Sequence, residues 1–134
     1  MIEYHTFGLE QLTQILDIYR KAGWTAYLSE EDKMAWAIQN SLYLCGAFEG
    51  GRLAGFVRCV GDGEHILYVQ DLIVDEPYKR QGIGKSLLQA AMDKYAHVRM
   101  FVLATDAADP ISNAFYTAVG MRRWEESGYT GYCR

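Results

Sequence analysis

The stretch Ile66–Val74 is dense in β-branched and aromatic residues, and the chain behind it changes period. Leu87, Leu88, Ala91, Met92 and Tyr95 fall on one stripe of a helix predicted over Gln81–Tyr95, and Val98–Ala104 is apolar and strand-like again. A strand, a helix and a strand in that order close as a parallel βαβ unit with a right-handed crossover. The join between the first strand and the helix reads Lys79-Arg80-Gln81-Gly82-Ile83-Gly84-Lys85, and it limits the chemistry as well as the fold.

A helix begins with backbone N–H groups that lack an acceptor and with a partial positive charge. Glycines let an anion approach that backbone with no Cβ in the way. Lys79, Arg80 and Lys85 add cations at the same place, so the turn is suited to a pyrophosphate. Two better-known phosphate loops do not fit. The triphosphatase loop G-x-x-x-x-G-K-[ST] needs glycine where this chain has Lys79, and the dinucleotide fingerprint G-x-G-x-x-G needs a small residue where it has Leu87. The bland alternative, a strand-to-helix turn with glycines for tight packing, stays open at this level.

The rest of the chain supplies the flanking elements. Ile2–Thr6 reads as a short strand, and Leu9, Leu12, Ile15, Leu16 and Tyr19 recur at helical spacing up to a stop near Gly23. A second helix is predicted from Ser29, whose hydroxyl would cap it in a box with Asp32. Leu42–Phe48, Leu53–Val60 and Ile66–Val74 form an antiparallel meander through turns at Glu49-Gly50-Gly51 and Gly61-Asp62-Gly63. Downstream, Asp109-Pro110 opens a helix that runs to Val119 and stops at Gly120. Met121–Trp124 and Tyr129–Cys133 read as two last strands. The expected fold is α/β: a mixed, mostly antiparallel sheet of about seven strands flanked by about four helices.

Length and composition narrow the class. A chain of 134 residues suits one domain, 1–134. A net charge of −4 without a Lys/Arg run argues against a nucleic-acid partner. No stretch reaches the roughly 18 apolar residues of a membrane span, and Met1-Ile2-Glu3-Tyr4-His5 lacks the features of a signal peptide. Cys45, Cys59 and Cys133 form no C-x-x-C pair, and His5, His65 and His97 are isolated. The expectation is therefore a cytoplasmic protein with reduced thiols and no metal.

At this point the chain resembles the GCN5-related N-acetyltransferase (GNAT) superfamily. That family's pyrophosphate motif is Q/R-x-x-G-x-G/A, read here as Lys79-Arg80-Gln81-Gly82-Ile83-Gly84 with lysine in the first place. The lead-in Val74-Asp75-Glu76-Pro77-Tyr78 and the continuation Lys85-Ser86-Leu87-Leu88 are similar to it too. Asn113-Ala114-Phe115-Tyr116-Thr117-Ala118-Val119-Gly120-Met121 resembles the family segment N-x-x-F-Y-x-x-x-G-F. The resemblance implies direct acetyl transfer from acetyl-CoA to an amine. The diphosphate would sit on Lys79, Arg80, Gln81, Gly82, Ile83, Gly84 and Lys85. The pantetheine arm would pair with Leu72, Ile73 and Val74, where the strand splays from Val98–Ala104. A backbone N–H there would steady the oxyanion. Tyr116 would protonate the leaving thiolate, and Asn113 would hold cofactor or backbone.

The acceptor side is less determined. Amines of the lysine type have a pKa of about 10.4, so a base or an ordered water assists their attack. Several relatives carry a carboxylate at the position of Gln70, which cannot take a proton. Asp71 is the alternative, but alternation points it to the other face unless a bulge intervenes. Trp24 and Tyr27 are candidate acceptor contacts together with Gln70, and Trp36 and Tyr129 are further aromatic candidates. A weaker likeness extends to acetyltransferases that include serotonin N-acetyltransferases. The expected function is acetylation of a small primary amine, arylalkylamine-like. The alternatives are a protein lysine or N-terminal acetyltransferase and a non-catalytic CoA-binding module. A homodimer built on Tyr129, Tyr132 and Cys133 is the expected assembly.

Overall fold

The computed structural model describes residues 1–134 in two compact units, Met1–Leu103 and Ala104–Arg134. The first holds a five-stranded sheet in the order β1-β2-β3-β4-β5. Its strands are β1 (Glu3–Thr6), β2 (Tyr43–Glu49), β3 (Arg52–Gly61), β4 (Ile66–Val74) and β5 (Met100–Leu103). The first four pair antiparallel in sequence order, and β4 pairs with β5 in parallel. Helices α1 (Leu12–Ala22), α2 (Glu31–Gln39) and α3 (Ile83–Lys94) belong to the same unit, and α4 (Pro110–Ala118) lies in the second.

Both faces of the sheet are covered, which is why β2 and β3 read as nearly unbroken apolar runs. One face carries Leu44, Phe56 and Ile73, which pack against Ile15, Tyr19, Met34 and Ile38 of α1 and α2. The other face carries Cys45, Val57 and Cys59, where α3 lies along β2, β3 and β4 with Leu87, Leu88 and Ala91 buried. The β2–β3 hairpin turns on Gly50 and Gly51, both at positive φ (56° and 85°), a geometry that glycine adopts without steric cost. At the next hairpin, Asp62 Oδ1 accepts from the N–H groups of Glu64, His65 and Ile66.

One irregularity in β4 decides which way the side chains around Gln70 face. Arg58 of β3 is registered with Asp71, but the next residue, Cys59, is registered with Val69. Gln70 is thus the extra residue of a β-bulge. Val69 and Asp71, two positions apart, consequently project to opposite faces. Pairing between β4 and β5 ends at Val69–Leu103, whereas β4 continues to Val74. The two strands part where the bulge lies.

Three expectations need correction. The sheet has five strands, not about seven: Met121–Trp124 and Tyr129–Cys133 form no strands. Instead Trp124–Ser127 is a short 3-10 turn closed by the Glu126 side chain, which accepts from Arg123 N–H. Gly131 lies against the Trp124 ring so closely that a Cβ there would collide with it. Ser29 does not cap α2. The N-cap is Glu30, with no side-chain bond to the first turn. Helix α4 starts as expected, with Pro110 at its first position and Asp109 accepting from Ile111 and Ser112 N–H.

Phe56 is fully buried between α1 and the sheet. Phe56→Ala is expected to lower stability by about 3–5 kcal/mol, read as the shift of the urea unfolding curve.

Candidate functional site

Asp71 is 1 % exposed, and three donors converge on it. Arg58 Nε and the Tyr19 hydroxyl donate to Oδ2 at 2.7 Å each, and the Tyr27 hydroxyl donates to Oδ1 at 2.7 Å. The bulge creates this arrangement by turning Asp71 onto the face where α1 supplies Tyr19 and the following 3-10 turn, Thr25–Tyr27, supplies Tyr27. Arg58 is itself buried and also reaches Ser41 Oγ. Burial opposes the charge on Arg58, but the Asp71 carboxylate outweighs it and raises the guanidinium pKa. Burial, reinforced by the Asp71 charge, pushes the Tyr19 phenol far up. Burial is also the main cause that raises Tyr27. Both phenols are therefore neutral donors at physiological pH.

The network reaches solvent at one point. Gln70 is exposed, and its Nε2 donates to the Tyr27 hydroxyl at 2.9 Å. Around it stands an aromatic wall: Tyr19 stacks on Trp24 (5.9 Å between centroids) and packs on Tyr27 (4.4 Å), with the Arg58 guanidinium 5.8 Å from the centre of the Tyr27 ring. The structure thus brings together Trp24, Tyr27, Gln70 and Asp71 of the candidates. Trp36 is exposed on α2 and outside this cluster, and Tyr129 lies in the second unit.

Arg58 and Tyr19 are site residues that the sequence analysis passed over. Arg58 had a signal: it is the one charge inside the run Leu53–Val60. A charged residue in a strand buried on both faces calls for a buried partner of opposite sign. Tyr19 had none, since its place on the apolar stripe of α1 reads as packing.

The candidate anion-binding turn is built from backbone. None of the N–H groups from Arg80 to Lys85 has an acceptor in the chain, and α3 starts at Gly82 without a side-chain cap. Gly82 has φ 80° and Arg80 has φ 66°. Left-handed residues next to a helix start turn neighbouring N–H groups toward a common side, a geometry suited to an anion. Glycine at 82 serves that conformation and not space, since a Cβ there would meet nothing. Lys79 is paired with Glu76 at 3.0 Å, whereas Arg80 and Lys85 have no carboxylate partner. Beside this turn, the β4 edge at Leu72, Ile73 and Val74 has no strand on the β5 side.

In the second unit, Asn113 Nδ2 donates to the carbonyls of Asp106 and Asp109, tying the start of α4 to the loop before it. Tyr116 is half-buried next to Phe115, and burial raises its pKa. A cleft of about 420 Å³ lies elsewhere, between α1 and Arg52–Leu53. Its polar groups bind one another: Gln14 Oε1 accepts from Leu53 N–H, and Asp75 holds Arg52 and Lys21. No three His, Cys, Asp or Glu side chains are placed to hold a metal ion, and no helix is long and apolar enough to cross a membrane.

Comparison with known proteins agrees with this geometry. The family model described as acetyltransferase (GNAT) family matches residues 9–121, a span that crosses both units. A GNAT family acetyltransferase from Streptococcus pneumoniae is 30% identical, over 100% of this chain and 97% of that one, with a TM-score of 0.87. Two more distant structures share the fold. A ribosomal-protein-alanine N-acetyltransferase from Brucella melitensis is 16% identical over 100% and 98% of the two chains, with a TM-score of 0.76. An aminoglycoside acetyltransferase from an uncultured soil metagenomic sample, in complex with sisomicin, is 18% identical over 99% and 96%, with a TM-score of 0.73.

The Arg58–Asp71 pair also yields a stability test. Arg58→Met leaves the carboxylate buried without its cation and is expected to cost about 3–5 kcal/mol. Replacing the whole network, Arg58→Met and Asp71→Leu with Tyr19→Phe and Tyr27→Phe, leaves no buried donor without an acceptor and is expected to cost much less. Urea unfolding of the two variants checks the difference.

Proposed function

Since the chain belongs to the acetyltransferase (GNAT) family, it is an enzyme that takes its acetyl group from acetyl-coenzyme A, and we propose that the acceptor is a small primary amine with an aromatic body. The observation that carries the reading is the run of unpaired N–H groups from Arg80 to Lys85, with two unpaired cations on it. That nest matches a diphosphate in charge and in backbone geometry.

Lys79, Arg80, Gln81, Gly82, Ile83, Gly84 and Lys85 would hold the diphosphate. The free edge of β4 at Leu72, Ile73 and Val74 would hold the pantetheine arm by backbone pairing, as an added strand. The bound thioester supplies the activated acetyl group. On the acceptor side, Trp24 presents a partly exposed ring for an aromatic body, and Gln70 and Tyr27 present polar atoms beside it. Asp71 has its oxygens engaged by three donors, so the proton of the incoming amine leaves through water and not directly to this carboxylate. Tyr116 would give its proton to the departing sulfur. Burial raises its pKa, so the phenol is protonated when the thiolate forms and gives up its proton only to a strong base such as that thiolate. Asn113 would keep the start of α4 in place through the two carbonyls it binds.

The same reading covers the whole chain as one acetyltransferase domain, working in the cytoplasm with its thiols free. It includes a homodimer that uses the exposed Tyr129 and Tyr132, open to sedimentation analysis.

Coenzyme A affinity measured by calorimetry is expected to fall with added salt and with Arg80→Ala/Lys85→Ala. No binding by the folded wild type overturns the assignment of the nest. Thiol release with a panel of arylalkylamines, polyamines, aminoglycosides and peptide N-termini identifies the acceptor. Turnover confined to the peptides overturns the small-amine reading. Tyr116→Phe is expected to lower kcat by about a hundredfold with coenzyme A affinity nearly unchanged.

A further inference from the structure

We infer that Gln70 Oε1 is the acceptor that grips the substrate amine by one of its N–H bonds, and that Tyr27, Asp71 and Arg58 form a positioning chain that fixes which way the Gln70 amide faces. The inference rests on the acetyltransferase reading above and assigns a role within its acceptor site.

The orientation follows from proton counting. The guanidinium of Arg58 has donors only, so its contact with Asp71 is a donation. Tyr27 has a single hydroxyl proton, and that proton points at Asp71 Oδ1, 2.7 Å away. Toward Gln70 the Tyr27 oxygen has only lone pairs left. The Gln70 atom 2.9 Å from it must therefore be the NH2 group, whatever the amide would prefer in isolation. Oε1 is left on the other side of the amide, exposed and with no donor from the chain.

The bulge adds the location. Gln70 is the unpaired residue of β4, and it stands where β4 and β5 part, next to the free edge at Leu72–Val74. The residue thus stands at the point where the gap begins.

The chemistry makes the orientation matter. An amine attacks through its lone pair. An NH2 group presented by glutamine would donate into that lone pair and block the attack. A carbonyl oxygen accepts an amine N–H and leaves the lone pair free. It also accepts from an ammonium group, holding the substrate while another of its protons is lost to water. Glutamine takes no proton in this role. It holds the nucleophile in a usable attitude.

The test uses the full chain with acetyl-coenzyme A and phenethylamine as the probe amine. Gln70→Leu removes the acceptor, and Tyr27→Phe removes the hydroxyl that orients it while Asp71 keeps its donors from Arg58 and Tyr19. Each is expected to raise KM for phenethylamine about tenfold, with KM for acetyl-coenzyme A unchanged. In the double variant KM is expected to equal that of Gln70→Leu alone, because Tyr27 acts through Gln70. Effects that multiply in the double variant, or a Tyr27→Phe enzyme with unaltered KM, overturn the proposal. A second readout needs no turnover. The Gln70 side-chain amide signals, assigned by their loss in Gln70→Leu, are expected away from the bulk glutamine signals in the wild type. In Tyr27→Phe they are expected to move to the bulk position. Bulk-like signals in the wild type overturn the orientation. If phenethylamine is not acetylated but a peptide N-terminus is, the small-amine reading fails, and the variants are compared on that peptide.

Discussion

Three donors meet one carboxylate beneath the acceptor surface, and the local architecture is what keeps that carboxylate satisfied. A buried charge is tolerated only when paired and hydrogen-bonded. Asp71 obtains this from three separate elements: Arg58 from the neighbouring strand, Tyr19 from α1 and Tyr27 from the turn after it. Each partner is thereby fixed in place by the same anion. The turn carrying Tyr27 is tied to the sheet through it. Rigidity at the acceptor surface is therefore electrostatic in origin, with aromatic packing filling the remaining space.

The two sides of the site are made of different material. The candidate anion-binding turn presents main-chain N–H groups around two left-handed residues, Arg80 and Gly82, with side chains adding only diffuse charge. Such a nest depends on backbone conformation and tolerates exchange of the side chains around it, so lysine at 79 is compatible with a motif that begins with Gln or Arg. The acceptor surface depends on named side-chain atoms and their proton positions, so a single substitution can rewrite it.

The same division explains what was legible in the chain. Ile66–Val74 forms β4 over its full expected span, and the Asp109-Pro110 start of α4 is where local chemistry puts it, because hydrophobic density and capping are short-range signals. The glycine turn was readable for the same reason. The bulge at Gln70 was not. Leu67, Val69, Asp71 and Ile73 are all buried, so the alternation by number looks unbroken although the strand changes faces in the middle. The convergence of Arg58, Tyr19 and Tyr27 on Asp71 spans separations that no local pattern records. The two C-terminal strands failed for a related reason. A strand exists only as a pair, and residues 121–134 find a turn closed by Glu126 and an aromatic contact at Trp124 instead.

A strand that swaps its inside for its outside halfway along behaves like two spliced pieces of ribbon. Exchanging the side chain at the splice disturbs a single amide. Losing the residue altogether is another matter, because the two pieces would fall into step. Either Asp71 and Ile73 would roll over toward α3, or Leu67 and Val69 would roll toward α1. Insertions and deletions at this point therefore act on the whole sheet, whereas point changes there act on chemistry alone, and the acceptor surface is free to diversify by the second route only.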